Sequence, residues 1–144
     1  MVNNCVFCIY VILLAFIMAT TSVLTSMSLN CHGFNNGTVN YLRRVAKDID
    51  FLLLQETWLC DATVHRLIDN KDGFRVMHSS AMERKLPEGI HLGRPFGGTA
   101  VLINKRLIKC IHPIITDNPH VTAVRYSFKN GNDLIFSSTC IYAF

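Results

Sequence analysis

FLLLQETW, at residues 51–58, is the stretch of sequence that decides the fold of this chain. Its first four residues and the two residues before them form a short, nearly continuous apolar run at 49–54. Such a run predicts a strand that is buried on both faces. The run ends abruptly at Gln55 and Glu56. Sites in open α/β sheets form beyond the carboxyl ends of strands, and a carboxylate there can bind a divalent cation. Glu56 is therefore a candidate metal ligand; the alternative is an ordinary solvated glutamate.

A second strand end lies upstream of this stretch. Residues 23–30 (VLTSMSLN) alternate partly between apolar and polar side chains, which predicts a strand, and a loop containing Gly33 follows them. An asparagine amide at such a strand end, here Asn30, can orient a phosphate or a carboxylate. The alternative for Asn30 is a simple turn residue.

The remaining pattern predicts a helix between these two strands, a short helix after the second strand, and then mostly strands. This order indicates a layered α/β domain whose sheet mixes parallel and antiparallel pairs. Pro113 indicates an edge strand, and Asn130-Gly131 predicts a hairpin turn. The predicted elements are a helix at 38–47 capped by Thr38 or Asn36, a short helix capped by Asp61, and strands at 74–77, 98–103, 108–115, 121–128 and 134–142.

The N-terminal segment differs in composition from the rest. Residues 5–19 are apolar without interruption, and residues 1–42 contain no Lys, Arg, Asp or Glu. The segment is interpreted either as a weak signal or anchor helix, with membrane contact through residues 5–24, or as upstream sequence without function. We therefore divide the chain into an apolar segment at 1–25 and a domain at 26–144.

Charge and cysteine content narrow the class of protein. The formal net charge of +4 is compatible with a phosphate-bearing partner, and equally with an ordinary soluble surface. The CxxC of Cys5 and Cys8 has no second pair at zinc-binding spacing, and the other four cysteines are widely spread. The cysteines are therefore interpreted as buried thiols in a reducing compartment.

Three motifs in order carry a family resemblance. S-x-N-x-x-G at residues 28–33, LLLQETWL at 52–59 and GRPFGGTAVLI at 93–103 together resemble the endonuclease/exonuclease/phosphatase family, in particular the endonuclease domains of animal non-LTR (LINE-type) retrotransposons. The resemblance covers roughly residues 23–144. It implies a partial four-layer α/β sandwich, the N-terminal half of the domain, with one mixed sheet and its helices.

The resemblance also implies roles for three residues. Glu56 matches the family's Mg²⁺-ligating glutamate, and Asn30 matches the asparagine that helps to hold the metal and phosphate. Tyr142 matches a tyrosine that contacts the scissile phosphate. The implied cofactor is Mg²⁺ or Mn²⁺, and the implied partner is the phosphodiester backbone of DNA. In the family that the chain resembles, the metal stabilises charge developing on the phosphate while an Asp–His pair activates water.

Departures from the family pattern limit this prediction. His32 stands where many relatives have Asp or Asn, and Phe144 stands where the proline after Tyr142 is expected. The later Asp and His motifs would lie beyond residue 144. The prediction is therefore a fragment of a Mg²⁺-dependent DNA endonuclease, inactive without the C-terminal half of the domain, whose one sheet lacks a partner on its inner face.

Three alternatives stay open. The first is a non-enzymatic retroelement remnant. The second is a membrane-tethered interaction module, and the third is a phosphatase acting on smaller phosphoesters. A retroelement origin implies a nuclear or cytoplasmic location, whereas a functional apolar segment implies a membrane or secretory one.

Overall fold

The computed structural model of the chain describes residues 23–69, 73–80, 82 and 96–140. The apolar run at 5–19, residues 93–95 of the third motif and Tyr142 lie outside the described residues. No helix within the described ranges is long and apolar enough to cross a membrane. The division of the chain at residue 25 stays a prediction.

The strands and the two α-helices of the described residues follow the order that the sequence predicts. The 3-10 helix at Lys105–Cys110 was not predicted, and it takes the place of the first part of the strand predicted at 108–115. Two of the helices are 3-10 helices, at Ala46–Asp48 and at Lys105–Cys110. The other elements are β1 (Ser26–Asn30), α1 (Asn36–Val45), β2 (Phe51–Gln55), α2 (His65–Asp69), β3 (Phe74–Ser79), β4 (Thr99–Asn104), β5 (Ile111–Ile114), β6 (Val121–Ser127) and β7 (Asp133–Thr139).

The central sheet contains four strands in the order β1-β2-β4-β3. Strands β1 and β2 are parallel and are connected through α1, whereas β4 is antiparallel to both of its neighbours. Phe51, Leu52 and Leu54 in β2 are fully buried, so the prediction of a strand covered on both faces is confirmed. The predicted mixed sheet is confirmed as well.

Helix α1 covers one face of the central sheet. Its Val39 and Leu42 pack with Leu52, Leu54 and Leu102 of the sheet in one apolar core. Burial of apolar side chains at this helical spacing is the reason that residues 38–47 read as a helix in the sequence.

Two predicted helix caps are wrong. The N-cap of α1 is Asn35, whose Oδ1 accepts a hydrogen bond from the Thr38 backbone N–H at 3.1 Å, because the helix begins at Asn36. Helix α2 begins at His65, so Asp61 lies a turn too early to cap it, and its Oδ1 lies 2.8 Å from His78 Nε2 instead.

A second sheet covers the other face of the central sheet. Strands β5, β6 and β7 form it, all antiparallel, with β5 at an edge as Pro113 predicts. Its Val124 and Tyr126 share a core with Phe51 and the β4 side chains, and the rings of Phe51 and Phe136 stack with centroids 3.8 Å apart. The expectation of one sheet with an unpartnered inner face is therefore wrong. In the central sheet β4 already has a neighbour on each side, so the next strands cannot pair with it. The 3-10 helix after β4 leads the chain away from this sheet, and β5, β6 and β7 pack over its face.

A buried carboxylate joins the starts of several elements. Asp50 is 0% exposed, and its Oδ1 accepts a hydrogen bond from Arg106 Nε at 2.9 Å. Its Oδ2 accepts one from the Thr25 backbone N–H at 3.0 Å. Asp50 is the one polar residue in the apolar run at 49–54. Its hydrogen bonds connect the start of β2 to the residue before β1 and to the Lys105–Cys110 helix.

Candidate functional site

The parallel pairing of β1 with β2 brings Asn30 and Glu56 together. Asn30 lies opposite Gln55 in the register, so the segments that follow β1 and β2 leave the sheet side by side at its carboxyl edge. Asn30 Nδ2 donates a hydrogen bond of 2.9 Å to Glu56 Oε1. Two residues that the sequence separates by 26 positions therefore form one polar cluster.

The orientation of the Asn30 amide follows from a second hydrogen bond. The backbone N–H of His32 donates to Asn30 Oδ1 at 3.0 Å, which leaves the amino group to face Glu56. Asn30 thus presents donors to the carboxylate and holds Oε1 in place, while its own oxygen is already engaged. Its geometry is that of a residue that positions the carboxylate.

His32 occupies the other oxygen of Glu56. Its Nδ1 lies 3.2 Å from Oε2, and the side-chain exposures of the two residues are 82% and 26%. Each oxygen of the carboxylate therefore has a partner, one amide and one imidazole. Nothing in the sequence indicates this contact, because it depends on how the loop after β1 turns.

The two loops that carry the cluster are paired through their backbones. The N–H of Cys31 donates to the Gln55 carbonyl at 2.8 Å, and the N–H of Gly33 donates to the Glu56 carbonyl at 2.8 Å. This ladder continues the β1–β2 pairing beyond the sheet and fixes both loops against each other.

Three non-glycine residues of the site have left-handed backbones. The φ angles are 46° at His32, 49° at Glu56 and 55° at Trp58. This conformation costs about 1–2 kcal/mol for an L-residue. It persists because the ladder between the loops and the packing around Trp58 hold the backbone in place.

Gly33 allows Trp58 to pack beneath the loop. A Cβ at Gly33 would lie 2.5 Å from the nearest indole carbon, and the glycine has φ of 94°. The Trp58 ring also contacts the His32 ring, with centroids 5.4 Å apart. The indole therefore supports the imidazole that faces Glu56.

The Gly-Gly pair of the third motif, Gly97 and Gly98, accepts hydrogen bonds from the loop after β2. Trp58 N–H donates to the Gly97 carbonyl at 2.8 Å, and Thr57 N–H donates to the Gly98 carbonyl at 3.0 Å. A Cβ at Gly98 would lie 2.6 Å from Thr57 Oγ1. A side chain at Gly98 would therefore displace the loop that holds Glu56.

Gln55 anchors the site to both sheets. Its Nε2 donates to Ser28 Oγ and to Ser138 Oγ, both at 3.1 Å. Ser138 is fully buried, and its hydroxyl donates to the Leu54 carbonyl at 2.7 Å. This network joins β1, β2 and β7 below the cluster. Sequence analysis missed Ser138, because a single serine in a predicted strand carries no signal.

The charge of Glu56 affects a neighbouring thiol. Burial, and then the negative charge of Glu56, raises the pKa of Cys31 to about 12. A thiol with so high a pKa is protonated at neutral pH, so Cys31 is unsuited to act as a nucleophile.

A separate polar pair lies along the same edge of the central sheet. The His78–Asp61 contact joins the end of β3 to the loop before α2. In the register, His78 is opposite Ala100, which is opposite Leu54, so this pair lies two strands away from the Glu56 cluster. Sequence analysis did not identify it.

The donors at Glu56 fit a weakly held divalent cation. Its carboxylate is a hard oxygen ligand, and an imidazole nitrogen lies beside it. Among the described residues no group of three or more His, Cys, Asp and Glu side chains could hold a metal ion. From the described residues a cation here would have the Glu56 carboxylate, with the His32 imidazole beside it.

The chain matches no protein-family model and no curated protein. Among solved structures it is similar to the AP endonuclease LMAP from Leishmania major, with a TM-score of 0.55 and 16% sequence identity. The similarity covers 79% of this chain but 39% of that enzyme, so the chain spans well under half of the enzyme's length. At this identity the likeness concerns the fold alone. The described residues thus form part of an endonuclease/exonuclease/phosphatase-type α/β sandwich, with two packed sheets and helices on one of them.

Proposed function

We propose that this chain is part of a Mg²⁺-dependent phosphodiesterase of the DNA endonuclease type. The observation that carries the proposal is the Asn30–Glu56 contact at the joined carboxyl ends of two parallel strands. The fold, shared with a solved AP endonuclease, supports it. The role that the motifs imply for Glu56 agrees with its chemistry, since a partly exposed carboxylate is a ligand that Mg²⁺ accepts.

Within this proposal the two residues have different tasks. Asn30 holds Oε1 of Glu56, and Oε2 faces the solvent-exposed side on which His32 lies. Oε2 is thus the oxygen that would hold the cation. Mg²⁺, when bound, supplies positive charge that stabilises the phosphate oxygens during hydrolysis. Mg²⁺ sites commonly use one or two carboxylates and complete their shell with water and substrate phosphate, which suits a site with a single carboxylate.

The proposed substrate is the phosphodiester backbone of DNA. The net charge of +4 is compatible with a polyanionic partner, and electrostatic contacts with phosphates provide most non-specific affinity for nucleic acids. In the described ranges the loops of the Glu56 cluster lie at an edge of the sheet, where Asn30 and His32 are exposed and a phosphate can approach.

We further propose that these 144 residues bind but do not cleave. No second carboxylate joins Glu56 among the described residues, and the His78–Asp61 pair lies two strands away. Cooperating catalytic residues act as a unit, and loss of one member removes most of the rate. The groups that activate water would then come from the remainder of a complete domain.

The binding part of the proposal is tested by fluorescence anisotropy with a labelled short DNA duplex, titrated with and without Mg²⁺. We expect Mg²⁺ to strengthen binding by the unaltered chain and not by Glu56→Gln. The matched control is Asp48→Asn, which removes an exposed carboxylate before the start of β2, at the opposite end of that strand from Glu56, and should behave like the unaltered protein. Equal Mg²⁺ dependence in Glu56→Gln would refute a role for Glu56 in holding the cation.

The catalytic part is tested by incubating the same chain with supercoiled plasmid in Mg²⁺. We expect no nicking. Nicking that disappears in Glu56→Ala would show that the 144 residues are active on their own and would overturn the claim of inactivity.

A further inference from the structure

His32 lies on the open side of the Glu56 carboxylate. Oε1 of Glu56 is occupied by the Asn30 amide at 2.9 Å, whereas Oε2 faces His32 Nδ1 at 3.2 Å. The His32 side chain is 82% exposed and that of Glu56 is 26% exposed, so the pair lies at the surface. A cation bound at Oε2 would therefore lie beside the Nδ1 atom of His32.

The separation of these two atoms suits one bridging ion. Two ligands that are each about 2.1 Å from an ion lie about 3.0 Å apart at a right angle and about 3.4 Å apart at the tetrahedral angle. The observed separation of 3.2 Å lies between these values. The same contact is a hydrogen bond when Nδ1 carries the ring proton, so both atoms can bind one ion in the tautomer that has the proton on Nε2.

The imidazole is already held in position. The backbone N–H of His32 is bonded to Asn30 Oδ1 at 3.0 Å, and its ring contacts the Trp58 indole. Fixing a mobile side chain on binding costs conformational entropy and lowers affinity. These contacts already restrict the His32 side chain, so less entropy is lost when an ion binds.

The chemistry of the pair favours transition metals over Mg²⁺. Imidazole suits Zn²⁺, Ni²⁺ and related ions, whereas Mg²⁺ prefers oxygen ligands only. We infer that His32 is a second ligand beside Glu56 and that it gives this site a preference for divalent transition metals. The inference rests on the proposed function, because it requires Glu56 to bind a cation, and it goes further by assigning the metal class to His32.

The test is calorimetric titration of the untagged 144-residue chain with Co²⁺ and with Mg²⁺, accompanied by the visible absorption spectrum of Co²⁺. We expect Co²⁺ to bind at least about tenfold more tightly than Mg²⁺. His32→Asn should weaken Co²⁺ binding by about tenfold, change its spectrum and leave Mg²⁺ binding unchanged, because one nitrogen ligand is lost. His32→Asp should strengthen Mg²⁺ binding instead. Both replacements suit the left-handed backbone at this position, and circular dichroism checks that the fold is retained.

Two further variants separate the possible failures. His65→Asn removes an exposed histidine elsewhere and should leave both affinities unchanged. Any Co²⁺ that binds to cysteine thiols should also bind to the Glu56→Gln variant. The binding measured with that variant is therefore subtracted from the binding measured with the other proteins. If binding depends on Glu56 but Co²⁺ affinity and spectrum are the same in His32→Asn, the inference is wrong and the proposed function stands. If no cation binding depends on Glu56, the proposed function is wrong, and the inference with it.

Discussion

Replacing Arg106 with alanine should destabilise the fold by about 2–3 kcal/mol, although 63% of the arginine side chain is exposed. The reason lies with its partner, because Asp50 is 0% exposed and keeps its charge buried when the guanidinium is removed. Removing one member of a buried ion pair costs about 3–5 kcal/mol. The lower value expected here reflects the donors that remain, the Thr25 N–H at 3.0 Å and the Thr25 hydroxyl at 3.4 Å from Oδ2, and the water that can reach the vacated position.

Removal of the carboxylate has a different consequence. In Asp50→Ala the guanidinium of Arg106 returns to water, and the main loss is the acceptor of the Thr25 N–H, which costs about 1–3 kcal/mol. The variant with both replacements should therefore be about as stable as Asp50→Ala alone, since no buried charge is left. The two effects are strongly non-additive, as expected for residues in direct contact.

Urea unfolding followed by tryptophan fluorescence measures these effects. Trp58 is the only tryptophan in the sequence, and in the loop after β2 its ring packs against Gly33 while its backbone N–H donates to the Gly97 carbonyl. The matched control is Lys109→Ala, an exposed residue of the same 3-10 helix, which should change the free energy of unfolding by less than about 0.5 kcal/mol. A loss in Arg106→Ala no larger than that of the control would refute the reasoning, and so would additive losses in the double variant.

Two further predictions concern the surroundings of the site. Gly33→Ala should cost about 2–4 kcal/mol in urea unfolding, because it adds a Cβ 2.5 Å from the Trp58 ring at φ of 94°. Gly131→Ala, at φ of 83° with no atom within 4 Å of the new Cβ, should cost about 1–2 kcal/mol from backbone strain alone; equal costs would contradict the packing of the indole on Gly33. Burial, and then the charge of Glu56, raises the pKa of Cys31 from 9.0 to about 12, so above about pH 9 the unfolded chain loses this proton while the folded chain retains it. The free energy of unfolding should therefore fall as the pH rises from about 9 toward 12, less steeply in Cys31→Ala, and equal slopes in the two proteins would contradict the assignment.

The elements of the fold were largely predictable because their signals are local. The apolar run that ends in Gln55 became strand β2, in which Phe51, Leu52 and Leu54 are fully buried, and Asn130-Gly131 joined two paired strands. The helix caps were predicted less well. Asn35, Asn36 and Thr38 are all suitable caps, and the choice among them depends on the direction in which the loop from Gly33 enters the helix.

The candidate site was predictable only in part. Asn30 and Glu56 stand at strand ends, and their side chains form the centre of the cluster. The contact of His32 with Glu56 was not predictable, because a left-handed backbone at a non-glycine residue leaves little trace in one sequence. Ser138, 83 positions from Gln55, could be placed below the site only by the packing of the two sheets.

The sequence by itself determined the strands, the main helix and the two strand ends that carry Asn30 and Glu56, since hydrophobic period and turn residues act over a few positions. Tertiary structure alone decided that the hairpin of β6 and β7 packs face to face on the central sheet instead of extending it. It also decided which partners hold the oxygens of Glu56 and of Asp50. Those outcomes depend on burial and on contacts between residues far apart in the chain, and a local pattern contains no record of them.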